Sequence, residues 1–267
     1  MDVRWEEHGW ERLAPGVGRV RLPGWDATVG LVVGERGALL YDTGSTLREG
    51  AELRARTRAL LGGLRVTHVA LSHPHFDHVL GAAAFSGVAV YGAVGLAELL
   101  AGDGAGKGGS LYEEAVREGV AEAEAAEAVD LLVAPGHAVS GELTLDLGGG
   151  RRVVLANAGP GHTAHDLALL VPGTAAGPGT GPGGEAGAPG APTVLFCGDL
   201  VEESGEPQAG PDAVPARWPA ALDRLLALGG GDGTVYVPGH GAVVDAAFVR
   251  AQRDALAARF GGSGAPS

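Results

Sequence analysis

The stretch SHPHFDHVLG, Ser72 to Gly81, sets His73, His75, Asp77 and His78 within six positions, directly after the apolar run VTHVAL. Three of the nine histidines of the chain fall here. Imidazoles and a carboxylate packed behind a strand are the donor types that hold a metal ion. Histidines at i and i+2 on an extended segment or tight loop can turn their rings to one ion. Asp77 and His78, just beyond, can turn to a second. Nitrogen donors with oxygen among them favour zinc, with iron or manganese compatible.

Working outward, further ligand types stand where apolar strands end: His162 in GPGHTAHD, Asp199 in LFCGDL and His240 in VYVPGHG. Taken singly, a histidine after a strand is a surface or capping residue, and GD after a strand is a turn. Their joint appearance behind the first cluster makes a set of seven donors.

The segments around them alternate strands and helices. GVGRVRL, TVGLVVG and GALLYDTG, separated by turn residues, predict a β-meander. A helix is predicted over Leu47 to Leu61, with Ser45 or Thr46 near its start and Gly62-Gly63 closing it. VLGAAAF begins another helix, VAVYG is a strand, and helices are predicted over Ala93 to Leu100 and Leu111 to Val129. GELTLDLGGGRRVVLANAG predicts a hairpin turning at Gly148 to Gly150. DLALLV and TVLFCGDL are strands separated by Pro172 to Pro192, a tract of Gly, Pro, Ala and Thr with no core material, expected to be a disordered excursion from a hairpin. PARWPAALDRLLALG is a helix, TVYVPGHG a strand, and Asp245 to Phe260 a closing helix. The expected organisation is a single domain over residues 1–260, with the Gly/Pro-rich loop at 173–192 and a flexible tail at 261–267.

Charge and composition narrow the function classes. A net charge of −13 with only 19 Lys plus Arg, scattered, argues against nucleic acid or an anionic membrane surface as partner. No apolar run approaches the roughly 20 residues that span a bilayer. MDVRWEEHGW has no apolar stretch of the kind found in secretion signals. The single cysteine, Cys197, rules out an internal disulfide and fits a reducing compartment, so a cytoplasmic location is expected. Oligomeric state is not legible.

HPHFDH, GHT with His162, GD with Asp199, GH with His240 and LLYDTG with Asp42 together resemble the metallo-β-lactamase superfamily, over most of the chain. The resemblance implies an α/β fold, a four-layer αββα sandwich of two similar halves, with metals on the rim between two sheets. It implies His73, His75 and His162 for a first metal, Asp77, His78 and His240 for a second, and Asp199 bridging them. The cofactor implied is a pair of zinc ions. Two metals about 3.5–4 Å apart can share a water and bring its pKa toward neutrality. Asp77 and Asp199 therefore stand as catalytic as well as ligating residues.

Some residues keep two readings. His165 is a proton donor or substrate contact, or else forms with Asp166 a polar pair in a hairpin. Asp42 holds the second nitrogen of a ligating imidazole, or caps the DTG turn. Trp25, on the first hairpin tip in LPGWDATVG, overhangs the metals, or folds onto its own hairpin, Trp5 or Trp10. Cys197 is expected to face packing, and His8, His68 and His137 fit no ligand position.

The leading expectation is hydrolysis of a small ester, thioester, lactone or amide by a dinuclear enzyme. Alternatives are a phosphodiesterase, for which the chain offers no basic or clamp-like module, and a mononuclear iron sulfur dioxygenase on the same fold. A glutathione-thioester hydrolase of the glyoxalase II type carries a helical extension, whereas only Gly241 to Ser267 follow His240 here. Glu202 stands three residues after Asp199, where a lysine would suit a β-lactam carboxylate. Diiron oxygen or nitric oxide reductases have Glu where His75 stands.

Overall fold

A computed structural model describes residues 4–102, 110–174 and 190–261. Most of the 173–192 tract and the 261–267 tail therefore lie outside the described residues.

Period-two alternation sets the layers. Along β3 (Thr28–Val33), Val29, Leu31 and Val33 pack to one side and Val32 to the other. Along β4 (Ala38–Tyr41), Ala38 and Leu40 share the first side, Leu39 and Tyr41 the second. These strands belong to a seven-stranded sheet in the order β1 (Glu11–Ala14), β2 (Val17–Arg21), β3, β4, β5 (Val66–Ala70), β6 (Ala89–Ala93), β7 (His137–Val139). The meander β1 to β4 is antiparallel, as its short turns require, and β4 to β7 are parallel.

The second sheet has five strands: β12 (Val235–His240), β11 (Val194–Glu202), β10 (Leu167–Val171), β9 (Arg152–Asn157) and β8 (Glu142–Asp146), in that order. Val194 and Phe196 of β11 face the first sheet, while Leu195 and Cys197 face the helices behind. Helix α1 (Leu47–Leu61) covers the outer face of the first sheet. With it lie α3 (Leu96–Ala101), α4 (Ser110–Arg117) and α5 (Glu122–Asp130). Helices α6 (Trp218–Gly229) and α7 (Ala246–Phe260) cover the second sheet. The result is the four-layer αββα sandwich that the resemblance implies.

Helix α1 has the predicted bounds, and Thr46 caps it by accepting from the Glu49 N–H at 3.1 Å. Three helix predictions need correction. The stretch Leu111 to Val129 is two helices, because Gly119 takes φ +101° and Val120 N–H bonds back to Ala115 O. The helix placed at Ala93 starts at Leu96, since Ala93 ends β6 and Gly95 turns at φ +90°. The helix placed at Val79 starts earlier: a short α2 runs Phe76–Val79, followed by a 3₁₀ turn at Ala82–Phe85. Two of the candidate ligands thus sit on a helical turn.

The β10–β11 hairpin pairs Leu169 with Phe196 and Val171 with Val194. At its described outer end Thr174 N–H donates to Ala191 O at 3.1 Å.

Candidate metal centre

All of the candidate ligands stand at one edge of the sandwich, where strands of both sheets end. β4 runs into Asp42, β5 into Ser72 and His73, and β12 ends on His240, while Asp199 lies in the last part of β11. Two hydrogen bonds lock the sheets together there. Tyr41 Oη donates to Leu167 O at 2.6 Å and Leu167 N–H to Ser72 O at 2.7 Å. His73 lies in a bend just after β5, His75 on extended backbone, and Asp77 and His78 on α2. His162 belongs to the turn before β10, whose shape is held by Asp166: its carboxylate accepts from Thr163 N–H at 2.9 Å and Thr163 Oγ at 2.8 Å. Burial pushes the Asp166 carboxyl up to about 7.

Asp199 is the hub. Its carboxylate oxygens lie 3.2 Å from His240 Nε2, 3.3 Å from His78 Nε2, 3.6 Å from His162 Nε2 and 3.7 Å from His73 Nε2. Asp77 Oδ2 stands 3.4 Å from His240 Nε2 and 3.6 Å from His78 Nε2. His75 turns the opposite way: Nδ1 faces His162 Nε2 at 3.0 Å, because its Nε2–H donates outward to Asp212 at 3.1 Å. His73, His75, His162 and Asp199 form one group whose ligand atoms lie within 4.8 Å of one another, and Asp77, His78 and His240 form a second. Asp199, Glu202 and His240 form a third. Backbone room is essential here: a Cβ on Gly239 would lie 1.8 Å from Asp199 Oδ1.

The outward nitrogens of four of the five rings are also held, while His162 Nδ1 is buried without a partner. His78 Nδ1–H donates to Asp42 Oδ2 at 2.9 Å, while Asp42 Oδ1 accepts from Ser72 N–H at 2.7 Å. Asp42 is buried and sits at φ +66°, a conformation that Asp tolerates better than most residues. Of its two readings, the imidazole partner is the one its contacts describe. Ser72 Oγ stands 2.8 Å from His73 Nδ1, and His240 Nδ1–H donates to the Trp25 carbonyl at 2.8 Å.

Charge and burial pull these groups apart. Burial takes His73 well below the usual imidazole range and His162 down to about 4. His75 and His240 rise to about 9: burial opposes the rise, but the Asp212 hydrogen bond with Glu114 nearby outweighs it for His75, and Asp199 outweighs it for His240. Asp199 is itself held well below the carboxylate range; burial works against this, and His240, His78 and His73 overcome it.

The donor set fits divalent cations. His73 Nε2, His78 Nε2 and Asp199 Oδ1 are buried with no hydrogen-bond partner. Such groups are costly to leave unmade, at about 1–3 kcal/mol each, and cations bound by the two groups would satisfy all three. Imidazole rings packed with centroids 4.3 to 4.8 Å apart would repel if all were charged, and a metal takes them neutral.

Residues outside the cluster resolve as follows. His165 gives its Nδ1 to the Val94 carbonyl at 2.9 Å and is not among the converging ligand atoms. Trp25 packs edge-on against Phe76, centroids 5.2 Å apart, and donates Nε1–H to Glu118 O at 3.3 Å; Trp5 and Trp10 pack on each other instead. Cys197 is buried, and burial pushes its thiol up. His68 and His137 sandwich Tyr91 across β5 to β7. Asp212 and the Trp25 carbonyl went unanticipated as ring partners. Asp212 lies in a loop with no motif, and a backbone carbonyl leaves no trace in residue identity.

A cavity of about 330 Å³ opens on His162, Asp199 and His240 and is lined also by Glu202, Ser204 and Gln208. The family model described as "Metallo-beta-lactamase superfamily" matches residues 22–240. No curated protein sequence gives a match. Among solved structures, the crystal structure of DIM-1 metallo-beta-lactamase superposes with a TM-score of 0.64, covering 94% of this chain and 97% of that one at 15% identity, a likeness of fold.

Proposed function

The chain belongs to the metallo-beta-lactamase superfamily, and from that premise we propose that it is a metal-dependent hydrolase holding two divalent cations, zinc foremost, and acting on a small ester, thioester, lactone or amide. The observation that carries the proposal is the Asp199 carboxylate set 3.2 to 3.7 Å from four imidazoles of two ligand groups. His73, His75 and His162 would hold one cation, Asp77, His78 and His240 the other, and Asp199 would serve both. Cations bound there supply Lewis acidity toward a carbonyl oxygen and acidify water.

The chain's own residues do the rest. Asp42, Asp212, Ser72 and the Trp25 carbonyl fix which nitrogen each of four rings turns inward. The cavity beside the cluster is of a size that admits small molecules. A water-based route is favoured over a side-chain nucleophile, because Cys197 and Ser72 are buried and the Ser204 hydroxyl in the cavity donates to Glu202. Glu202 keeps its carboxylate on the cavity wall through Ser204 N–H at 3.1 Å, which disfavours an anionic substrate group on that side.

The same proposal reads residues 1–260 as one domain and the location as cytoplasmic; among the described residues no helix is long and apolar enough to cross a membrane. The test is elemental analysis of protein purified without added metal, followed by p-nitrophenyl ester, thioester, lactone and bis-p-nitrophenyl phosphate substrates. Two equivalents of metal with ester, thioester or lactone turnover are expected. Turnover of the phosphodiester alone would overturn the substrate class, and one equivalent under metal-replete conditions the two-cation reading.

A further inference from the structure

The β2–β3 tip belongs to the first half of the molecule, yet it grips the end of β12 in the second. Ala27 pairs with His240 in an isolated antiparallel bridge. The Trp25 carbonyl accepts from His240 Nδ1–H at 2.8 Å, and Asp26 Oδ2 accepts from the next backbone N–H, Gly241, at 3.1 Å. Asp26 holds this pose at φ +63°, where only Gly, Asn and Asp sit with any ease. Arg21 pins it there, donating Nε–H to Asp26 Oδ1 at 2.7 Å and a second N–H to Oδ2. Two residues earlier on β2 the buried Arg19 donates to Gly241 O at 3.0 Å. The tip is anchored on its other side by the Trp25 indole on Phe76, the first residue of α2.

We propose that Asp26, clamped by Arg21, is a positioning residue that sets His240 for cation binding: by fixing Gly241 and the Trp25 carbonyl together, it keeps Nδ1 of His240 protonated and outward, so that Nε2 faces Asp77 and Asp199. This rests on the reading of His240 as a ligand of the second cation. No hydrogen bond of Asp26 goes to a side chain of the cluster; its hold on Gly241 and its charge both act on His240.

The test is titration of metal-free protein with Co²⁺, followed by visible absorption and calorimetry, in wild type, Asp26→Gly and Asp26→Asn. Glycine accepts φ +63° freely and removes the carboxylate; asparagine accepts it too and keeps an oxygen for the Gly241 N–H. In Asp26→Gly the first equivalent is expected to bind as in wild type and the second about 10- to 100-fold more weakly, with an altered absorption band. Asp26→Asn is expected to restore most of that loss, which a merely destabilised hairpin would not do. Should Asp26→Gly fail to fold, Arg21→Gln carries the same test with a smaller loss. Wild-type affinity for both equivalents in the glycine variant, or equal weakening of both, would overturn the proposal. If wild type takes only one equivalent, the two-cation reading falls, and the proposal then stands or falls on whether that equivalent weakens in Asp26→Gly.

Discussion

The two halves supply the centre in different ways. The first delivers four donors from one short segment, His73 to His78, folded as a bend followed by a helical turn. The second delivers three donors singly, from the turn before β10, from β11 and from the end of β12. Their braces differ as well. His73 and His78 are held by Ser72 and Asp42 of their own half. His75 and His240 reach across, to Asp212 and to the Trp25 carbonyl. The compact motif thus orients two of its three rings by itself and leaves His75 to the docking of the other half, as His240 is left to the docking of the first.

The sharpest way to break this picture is at the hub. Asp199→Ala should abolish binding of both equivalents and lower turnover by about 100-fold or more, since the cost exceeds that of losing a ring's outer partner. Elemental analysis together with ester kinetics checks it, and retention of either equivalent would mean that the halves do not share Asp199. Next comes Gly239→Ala, whose new Cβ would overlap Asp199 Oδ1 and push the hub aside. Metal content should fall with only a modest change in the melting temperature of the metal-free protein.

Two braces on the first half's own rings then compare a same-half partner with one from across the molecule. Asp42→Ala leaves Ser72 N–H and His78 Nδ1 buried without partners, so a loss of about 1–3 kcal/mol for each should appear in chemical denaturation, alongside weaker metal binding. Asp212→Ala removes a half-exposed partner of His75 and should weaken metal binding about 10-fold with little change in stability. Equal stability losses would contradict the contrast between a self-braced and a cross-braced ring.

Protonation gives a subtler test. In the metal-free protein His75 and His240, raised to about 9, carry protons at pH 7 and pair with Asp212 and Asp199. Those pairs stabilise the metal-free fold fully below the ordinary value of 6.5 and lose that contribution as pH rises through about 9. Cation binding needs neutral rings, so metal uptake at pH 7 should release protons, and apparent affinity should climb until about pH 9. Calorimetry in buffers of different ionisation enthalpy measures the release; equal release at pH 7 and pH 10 would count against the pairing.

Smallest of all should be the effect of replacing residues 175–189 by a short Gly-containing turn. Loop length costs closure entropy only logarithmically, about 0.6 kcal/mol per doubling, and Thr174 and Ala191 already meet across the hairpin. A melting scan and an activity assay suffice.

The same asymmetry explains what was legible in the sequence. HPHFDH announces itself because four donors fall within one turn of chain, and α1 does so because Thr46 and Gly62 punctuate it. His162, Asp199 and His240 were found only as a set, each being commonplace alone. The break at Gly119 was missed because flanking alanines and glutamates favour helix on both sides, and only the glycine's φ of +101° marks it. Asp212 and the Trp25 carbonyl escaped because their roles arise from docking, and no local pattern encodes which loop meets which ring.

The layout of the strands gives the molecule a working edge and a holding edge. Asp42, His73, Asp199 and His240 cluster where strands finish, while the Gly148 to Gly150 turn and the outer end of the β10–β11 hairpin lie where strands begin or reverse on the far side. Loops at the working edge, such as the one from Glu203 to Val214 that brings in Asp212, can therefore be exchanged without disturbing the register of either sheet. Such a frame puts the natural place for engineered specificity in that one loop with Asp212 retained, leaving β11, β12 and the connections that carry the other donors as they are.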